Sequence, residues 1–288
     1  MKISIRSYRE LHRSDVHRLL PERERDTHKG DYGKVLLLCG STGFTGAAKL
    51  AARAAMRSGS GLVYLGVPKE VYPIVAAGLN EPVVFPLPCD SEGRFSEEAI
   101  PLIRERLSGM DAVLAGPGLG RSDAIRKLIF MLLRDCRVPL ILDADGINAL
   151  QGHIDVLQSA ACPVVLTPHS GEFSRLYGKA IEDRYADTVR LAQMTGCTVL
   201  HKGHRTLTTD GWTVWRNRTG NPGMAKGGCG DVLSGVIVSL LGQGISPLNA
   251  AALGAYIHGA AGDCAANAYG EYAMLPDDMI EMIPQILK

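Results

Sequence analysis

The sequence predicts an α/β fold in which an open, mostly parallel sheet carries helices on both faces. Short, uniformly apolar segments typical of buried strands alternate with helix-like segments over most of the 288 residues. The first strand–helix–strand unit, residues 34–67, implies parallel pairing with a right-handed crossover. Glycine-rich turns follow the apolar segments, which is where ligands bind in open α/β sheets.

The predicted elements run in order along the chain. Parallel strands are predicted at 34–39, 62–67, 83–86, 112–115, 138–142, 164–167 and 198–200. Helices are predicted at 47–58, 96–107, 122–133, 183–195, 231–241, 248–268 and 276–287. Ser96 and Ser122 are predicted to cap their helices. Two further strands, 206–209 and 212–215, flank Asp210-Gly211, a hairpin signal, and Trp212 and Trp215 are expected to pack.

Composition narrows the class of protein. Net charge is +1, which leaves no electrostatic footprint for nucleic acid or an anionic membrane. Seven scattered cysteines without a CxxC pair indicate a reducing compartment with no disulfide framework or zinc site. No apolar signal core or membrane-length run occurs, so a cytoplasmic location is expected. Residues 1–27 are predicted to be a partly helical N-terminal extension, and 28–288 a single domain.

The segment Gly227–Asp231 reads Gly-Gly-Cys-Gly-Asp and leads straight into an apolar helix. Glycine backbone amides and a helix N-terminus together suit a phosphate. Asp231 would then lie beside an anion hole, where a phosphoryl-transfer reaction needs a base. The alternative is a plain helix cap, because Asp is a favoured capping residue.

Five other strand ends carry unusual loops, at 40–46, 116–120, 143–146, 168–172 and 201–206. Parallel strands would bring these loops to one edge. The first loop is neither a dinucleotide-binding G-x-G-x-x-G nor a P-loop, and 116–120 suits a pyrophosphate or a tight turn. Asp143 and Asp145 suit either Mg²⁺ or turn capping, and Glu172 either a hydrated Mg²⁺ or the helix dipole.

Several polar side chains in these regions have competing interpretations. His169 is either a ligand contact or an ordinary surface histidine. Lys202 and Arg205 suit phosphates or a solvated turn. Cys229 lies at a helix N-terminus, where the pKa of its thiol is expected to fall, although no partner base for a nucleophile is visible. Two residues within the predicted helix 248–268, His258 and Asp263, are assigned to packing and local hydrogen bonds.

Taken together, the segments resemble a known family. Residues 221–235, which contain the glycine turn, resemble the signature of the ADP/ATP-dependent NAD(P)H-hydrate dehydratases of the ribokinase-like superfamily. Segments 40–48, 116–120, 142–150 and 167–172 agree in the right order, as does Lys202-Gly203. The resemblance spans residue 28 to the C-terminus and implies a ribokinase-like fold.

The resemblance implies a repair reaction, in which the S epimer of hydrated NADH or NADPH loses water at the expense of ADP or ATP, releasing AMP or ADP and phosphate. It implies Asp231 as the catalytic base and Glu172 as the organiser of Mg²⁺ through water. The implied anion hole is Gly227, Gly228, Cys229 and Gly230. The implied substrate contacts are Ala47, Gly118, His169 and Asp231, and the implied adenine-nucleotide contacts are Lys202, Gly203, His204, Arg205, Thr206 and Gly230.

Three residues depart from the family pattern. Lys226 stands where the family usually has Thr or Ser, and Cys229 stands where it usually has Thr. His201 stands where the family usually has an apolar residue. Lys226 would add charge beside the phosphates. Residues 1–27 are too short for the epimerase domain often fused to bacterial members, so a separate epimerase is expected, as is a homo-oligomer such as a tetramer. The alternatives are a hydroxyethylthiazole-kinase-like small-molecule kinase and a non-catalytic nucleotide-binding regulator.

Overall fold

A single sheet of nine strands organises the computed structural model, which describes residues 7–288. The strands are β1 (Lys34–Leu38), β2 (Leu62–Pro68), β3 (Val83–Leu87), β4 (Ala112–Ala115), β5 (Leu140–Leu142), β6 (Val164–Leu166), β7 (Thr198–His201), β8 (Leu207–Thr209) and β9 (Val214–Arg216). Their order is β3-β2-β1-β4-β5-β6-β7-β8-β9. Strands β1 to β7 pair in parallel, and β8 and β9 are antiparallel. The order reverses between β1 and β4, where such sheets bind ligands.

Helices occupy most of the chain between the strands. They are α1 (Arg13–Leu19), α2 (Thr45–Arg57), α3 (Tyr72–Ala76), α4 (Ala99–Arg106), α5 (Asp123–Asp135), α6 (Asp145–Asn148), α7 (Ser170–Tyr177), α8 (Arg184–Thr195), α9 (Cys229–Gly242), α10 (Pro247–Tyr269) and α11 (Pro276–Leu287). Short 3-10 helices cover Lys29–Tyr32, Ile154–Ser159 and Pro222–Met224.

Two apolar cores lie on opposite faces of the sheet. On β1, Val35 and Leu37 belong to one core, while Leu36 and Leu38 belong to the other, as the two-residue repeat of a strand requires. Helices α2, α9, α10 and α11 cover the first face, and α4, α5 and α8 cover the second. Both faces are therefore buried, which explains the uniformly apolar strands and confirms the predicted fold class.

Helices α2 and α9 approach each other unusually closely. A Cβ atom at Gly235 would overlap the carbonyl oxygen of Ala51 and lie 2.8 Å from the Cβ of Ala54. A glycine in α9 and small residues in α2 thus allow the two backbones to touch. Both helices begin at the ligand edge of the sheet, so this contact fixes their N-termini relative to each other.

Local details separate correct from wrong expectations. The Ser122 side chain caps α5 by accepting the Ile125 N–H at 3.2 Å, as predicted. The Ser96 prediction was wrong, because α4 begins at Ala99 with Glu98 in the capping position. The β8–β9 hairpin is confirmed, but Asp210 accepts two N–H groups across a four-residue loop. Trp212 in that loop is 87% exposed, so its expected packing was wrong.

The N-terminal segment packs on the main fold. Val16 of α1 is fully buried in the first core, and Arg9 pairs with β9 at Trp215. The predicted extension falls partly on residues outside the described range, and the domain boundary at residue 27 remains a prediction. None of the helices described in residues 7–288 is long and apolar enough to cross a membrane.

Candidate active site

The glycine turn before α9 forms a helix N-terminus that opens towards the ligand edge. Gly228 is the N-cap residue with φ of 98°, a left-handed conformation that other residues rarely adopt. The helix begins at Cys229, and Asp231 lies in its first turn. The first amide groups of a helix lack helical acceptors and carry the positive end of the dipole. The turn therefore has the geometry of an anion hole.

Asp231 has the electrostatics of a general base. Within the described part of the chain its carboxylate has no hydrogen-bond or ion-pair partner. Burial, followed by repulsion from the Asp143 carboxylate, raises the pKa of Asp231 to about 7, while the Lys202 ammonium acts in the opposite sense. A carboxylate with a pKa near neutrality can take up and release a proton at ordinary pH.

A buried ionic cluster lies beside the anion hole. The Lys202 Nζ is 2.7 Å from Oδ1 of Asp143 and 3.8 Å from Oε2 of Glu172. Ser234, one turn after Asp231 on α9, donates to Asp143 Oδ2 at 2.6 Å. Burial acts to lower the pKa of Lys202, but the Asp143 and Glu172 carboxylates outweigh it, so the pKa is raised. Lys202 is therefore a fixed cation in the site rather than part of a solvated turn.

Lys202 also connects this cluster to the phosphate side of the site. A Cβ atom at Gly230 would lie 3.6 Å from the Lys202 Nζ, so the ammonium lies against the first turn of α9. The structure therefore brings together two of the predicted nucleotide contacts, Lys202 and Gly230, which are 28 positions apart in the sequence. An anion bound at the turn would meet both backbone amides and this cation.

The two aspartates after β5 have separate tasks. Asp143 is 1% exposed and pairs with Lys202. Asp145 instead accepts the N–H of Gly120 at 2.9 Å, which ties its loop to the turn after β4. Among residues 7–288, no group of three or more His, Cys, Asp or Glu side chains is arranged to hold a metal ion. Asp145 therefore fits the turn-capping interpretation, whereas Asp143 takes part in the ionic cluster with Lys202.

His169 and Glu172 form a reciprocal cap at the start of α7. The His169 Nδ1 accepts the N–H of Gly171 at 3.0 Å, and Glu172 Oε2 accepts the N–H of His169 at 2.9 Å. The Glu172 side chain is 6% exposed, whereas that of His169 is 54% exposed. The histidine thus keeps an accessible ring while it holds the helix end, and Glu172 is directed into the cluster.

The loops after β1 and β4 interlock at the point where the strand order reverses. Gly40 donates its N–H to Pro117 at 2.8 Å, and the Ser41 hydroxyl donates to the Gly118 carbonyl at 2.7 Å. A Cβ atom at Gly118 would lie 2.7 Å from the Cβ of Phe44 and 3.1 Å from that of Ala47. Two predicted substrate residues, Ala47 and Gly118, are therefore neighbours. His169 follows β6, two strands further along the sheet.

The predicted nucleotide loop, residues 202–206, leaves β7 in an irregular conformation. Gly203 and Arg205 have φ of 143° and 53°. Arg184 of α8 holds the loop from behind by donating to the carbonyls of His201 and His204, both at 2.7 Å. The side chains of His204 and Arg205 are exposed. Apart from glycines, Arg205 and Ala144 are the residues of positive φ in the described structure, and both lie in site loops.

The structure accounts for the departure at 201 and corrects the pKa expected at 229. His201 is fully buried, stacks on Phe173 at 4.6 Å and shares hydrogen bonds with Ser170 and Thr188. Burial lowers the pKa of His201 to about 4, so its ring is neutral. Burial raises the pKa of the Cys229 thiol, so the expected fall was wrong.

Packing roles for two helix α10 residues are confirmed. His258 shares a hydrogen bond with the Cys229 carbonyl at 2.8 Å, and burial lowers the pKa of His258 to about 4. Asp263 accepts the N–H of Gly220 at 2.9 Å and the side-chain amide of Asn221 at 3.0 Å. Both residues therefore steady the approach to the glycine turn.

Three further residues around the site were missed by the sequence interpretation. Ser234 lies three residues after Asp231 on α9, so helical spacing alone could have placed its side chain near the site. Phe44, which precedes α2, is 56% exposed next to Gly118. Arg184, the first residue of α8, supports the predicted nucleotide loop through its side chain. Nothing in the sequence around Arg184 indicates this contact.

The parallel sheet, the glycine turn and the carboxylate in the first turn of α9 together define a protein of the ribokinase-like superfamily. A family model described as NAD(P)H-hydrate dehydratase matches residues 35–285. The chain therefore belongs to the NAD(P)H-hydrate dehydratase family, and the fold and family predicted from sequence are confirmed.

Named relatives agree with this assignment. The chain is 46% identical over 275 residues to the bifunctional NAD(P)H-hydrate repair enzyme Nnr of Moorella thermoacetica, covering 93% of this chain and 52% of that protein. It is 36% identical over 281 residues to the ADP-dependent (S)-NAD(P)H-hydrate dehydratase of Cenarchaeum symbiosum, covering 95% of each. The chain spans about half the length of the bifunctional relatives it matches.

A solved structure shows the same architecture. The ADP/ATP-dependent NAD(P)H-hydrate dehydratase of Bacillus subtilis, co-crystallized with ATP and Mg²⁺, superposes with a TM-score of 0.80 at 28% identity, covering 96% of each chain. These relatives favour the dehydratase interpretation over the small-molecule kinase.

Proposed function

We propose that this protein dehydrates the S epimer of hydrated NADH or NADPH at the expense of ADP or ATP, restoring NAD(P)H and releasing AMP or ADP and phosphate. The observation that carries this function is the position of Asp231, a carboxylate with a pKa of about 7 in the first turn of an anion-binding helix. The names of the relatives supply the substrate and the nucleotide.

The first step is phosphorylation of the ring hydroxyl. Hydroxide is a poor leaving group, whereas phosphate is a good one. Asp231 removes the hydroxyl proton as the oxygen attacks the terminal phosphorus, and the bond from that phosphorus to the nucleotide breaks. The backbone amides of residues 227–230 bind the transferred phosphoryl group, and Lys202 offsets its negative charge.

The second step is elimination. Phosphate leaves with the electron pair of its carbon–oxygen bond, the adjacent ring carbon gives up a proton to water, and the electron pair of that carbon–hydrogen bond restores the ring double bond. Ala47, Gly118 and His169 hold the dinucleotide. Residues Lys202, Gly203, His204, Arg205, Thr206 and Gly230 hold the adenine nucleotide.

The residues present suit Mg²⁺ bound largely by phosphate and water. The described chain supplies no multi-carboxylate cage, and Mg²⁺ commonly keeps several waters with one carboxylate near by. Glu172, whose buried carboxylate faces Lys202 at 3.8 Å, would orient such a water. Bound Mg²⁺ would neutralise the phosphate charge.

A separate epimerase activity would supply the S epimer to this chain. Bifunctional relatives are described as repair enzymes, which is consistent with such a partnership. A homo-oligomer such as a tetramer and a cytoplasmic location complete the proposal. Light scattering of the purified protein tests the oligomer; a monomer at working concentration would refute it.

The decisive experiment incubates the protein with hydrated NADH, Mg²⁺ and either ADP or ATP, and follows the return of NADH absorbance. Absorbance should return only with a nucleotide, and kcat/KM should decline below about pH 7, where Asp231 becomes protonated. A folded protein that restores no NADH with either nucleotide would sink the dehydratase proposal.

The variant Asp231→Asn tests the base. It should bind nucleotide normally and lose on the order of 10²- to 10⁴-fold in kcat. Asp123→Asn makes the same chemical change in the first turn of α5, where the side chain is 76% exposed, and should be unaffected. Near-normal turnover of Asp231→Asn would show that another group is the base.

A further inference from the structure

The glycine turn rests on the segment that joins α10 to α11. The Lys226 Nζ donates to the carbonyl of Tyr272 at 2.7 Å and to that of Met274 at 2.6 Å. The Cys229 thiol lies 3.7 Å from the sulfur of Met279, in the first turn of α11. Both departures from the family signature within the turn therefore contact the same stretch of chain.

Gly228 completes this contact. A Cβ atom there would lie 3.0 Å from Pro276, the first residue of α11, and 2.7 Å from Leu50 of α2. The turn is thus held between the α10–α11 connection on one side and α2 on the other. Its position depends on how firmly that connection is tied to it.

Lys226 provides the polar link across the contact. Its ammonium uses two of its three N–H groups on carbonyl oxygens, and such charge-assisted hydrogen bonds are stronger than neutral ones. Its own carbonyl accepts the N–H of Cys229 at 3.4 Å. The same residue therefore begins the turn and ties it to a segment 46 residues further along the chain.

We propose that Lys226 is a positioning residue for the anion hole. It fixes the backbone N–H groups of residues 227–230 and the Asp231 carboxylate by tying the turn to the Tyr272–Met274 segment, and it does not itself bind the nucleotide phosphates. This inference rests on the proposed function, because the anion hole is assigned to phosphoryl transfer. Amides that stabilise a transition state must be placed to within a fraction of an ångström.

The two roles for Lys226 predict different kinetics. A lysine that binds phosphate contributes to nucleotide affinity, so its loss would raise KM for the nucleotide. A lysine that positions the turn affects the transition state more than the bound nucleotide, so its loss would lower kcat and leave KM nearly unchanged.

The experiment compares Lys226→Met, which keeps the chain length without donors, with Lys226→Arg, which keeps donors. Lys127→Met, an exposed lysine on α5, is the matched control. Lys226→Met should lose about ten- to a hundredfold in kcat with KM for nucleotide changed by less than about threefold. Lys226→Arg should recover most of the loss, and Lys127→Met should behave as the wild type.

Hydrogen exchange supplies a readout independent of activity. In Lys226→Met, exchange should accelerate in peptides covering both 226–232 and 270–276, and in Lys127→Met it should not. If Lys226→Met does not fold, Lys226→Gln takes its place in both measurements.

Two results would overturn the inference: a rise of tenfold or more in KM for nucleotide at unchanged kcat, or unchanged kcat together with unchanged exchange. A wild-type protein that restores no NADH would instead defeat the proposed function. In that case the exchange data still decide whether Lys226 holds the turn.

Discussion

The two sides of the candidate site are built by different means. On the substrate side, the loops after β1 and β4 interlock through backbone hydrogen bonds, and Gly118 leaves room where a side chain would meet Phe44. On the nucleotide side, a part-buried ammonium, Lys202, is held between two carboxylates. One side is defined by shape and the other by charge.

This difference suits one edge of the sheet to the two unlike ligands that the proposed function requires. In the proposed reaction a hydrated nicotinamide ring would be recognised by a surface that fits it, and loops fixed by backbone contacts would give that surface a constant form. Phosphate oxygens need opposite charge and N–H donors, which Lys202 and the first turn of α9 supply. Substitutions on the two sides should therefore fail in different ways.

The largest effect is expected for Lys202→Met. It leaves Asp143, which is 1% exposed, as a buried carboxylate without its cation, and breaking such a pair costs about 3–5 kcal/mol. Urea denaturation should show this loss, and adding Asp143→Asn should restore part of it. A loss of less than about 1 kcal/mol would mean that the pair is solvated, as surface pairs are.

Gly118→Ala should break the substrate side selectively. Its φ of 65° and the nearby Phe44 Cβ leave no room for a methyl group, so the loop must shift. KM for the hydrate should rise about tenfold, on the order of 1.4 kcal/mol, while KM for nucleotide stays constant. Gly152→Ala, at φ of 79° with no atom within 4 Å of the added carbon, is the control for backbone strain alone. An equal effect of both variants would remove the shape argument.

Asp231→Asn should make stability less dependent on pH. The native carboxyl has a raised pKa of about 7, so the folded state binds an extra proton between that value and the unfolded value of about 4. Wild-type stability therefore falls as pH rises across this window and then levels off. The Tm advantage of Asp231→Asn should grow from pH 5 to pH 8, and a constant difference would contradict the raised pKa.

The smallest effect is expected at His169, where substitutions separate its role as the cap of α7 from its predicted role as a substrate contact. Asn can accept the same capping N–H groups, so His169→Asn should keep its stability while KM for the hydrate rises. His169→Leu should in addition lose about 1 kcal/mol by removing the cap. If His169→Asn leaves hydrate kinetics intact, the histidine is a cap only.

The fold was largely predictable because both sheet faces are buried and glycine turns mark the strand ends. The strand at 112–115 matches β4 residue for residue. The strand predicted at 138–142 was too long, since pairing begins at Leu140. The capping role predicted for Ser96 was wrong because serine is a favoured capping residue but α4 begins three residues later, at Ala99.

The site was predictable where chemistry is local and unpredictable where partners are distant. The glycine turn and its aspartate are contiguous, so the sequence indicates them directly. The Lys202–Asp143 pair joins residues 59 positions apart. Lys226 binds backbone carbonyls, and because every residue has a carbonyl, the sequence does not indicate which ones it binds. The error over the Cys229 pKa has a similar cause, because burial in the folded protein outweighs the helix terminus.

The close approach of α2 and α9 at Gly235 has a mechanical consequence. One helix starts from the predicted substrate loop and the other from the glycine turn, and at Gly235 and Ala51 their backbones are in contact, so neither helix can shift against the other without breaking that contact. In the proposed reaction the acceptor and the phosphoryl group would therefore be held on a common support, and this helix contact rather than a hinge would set their separation.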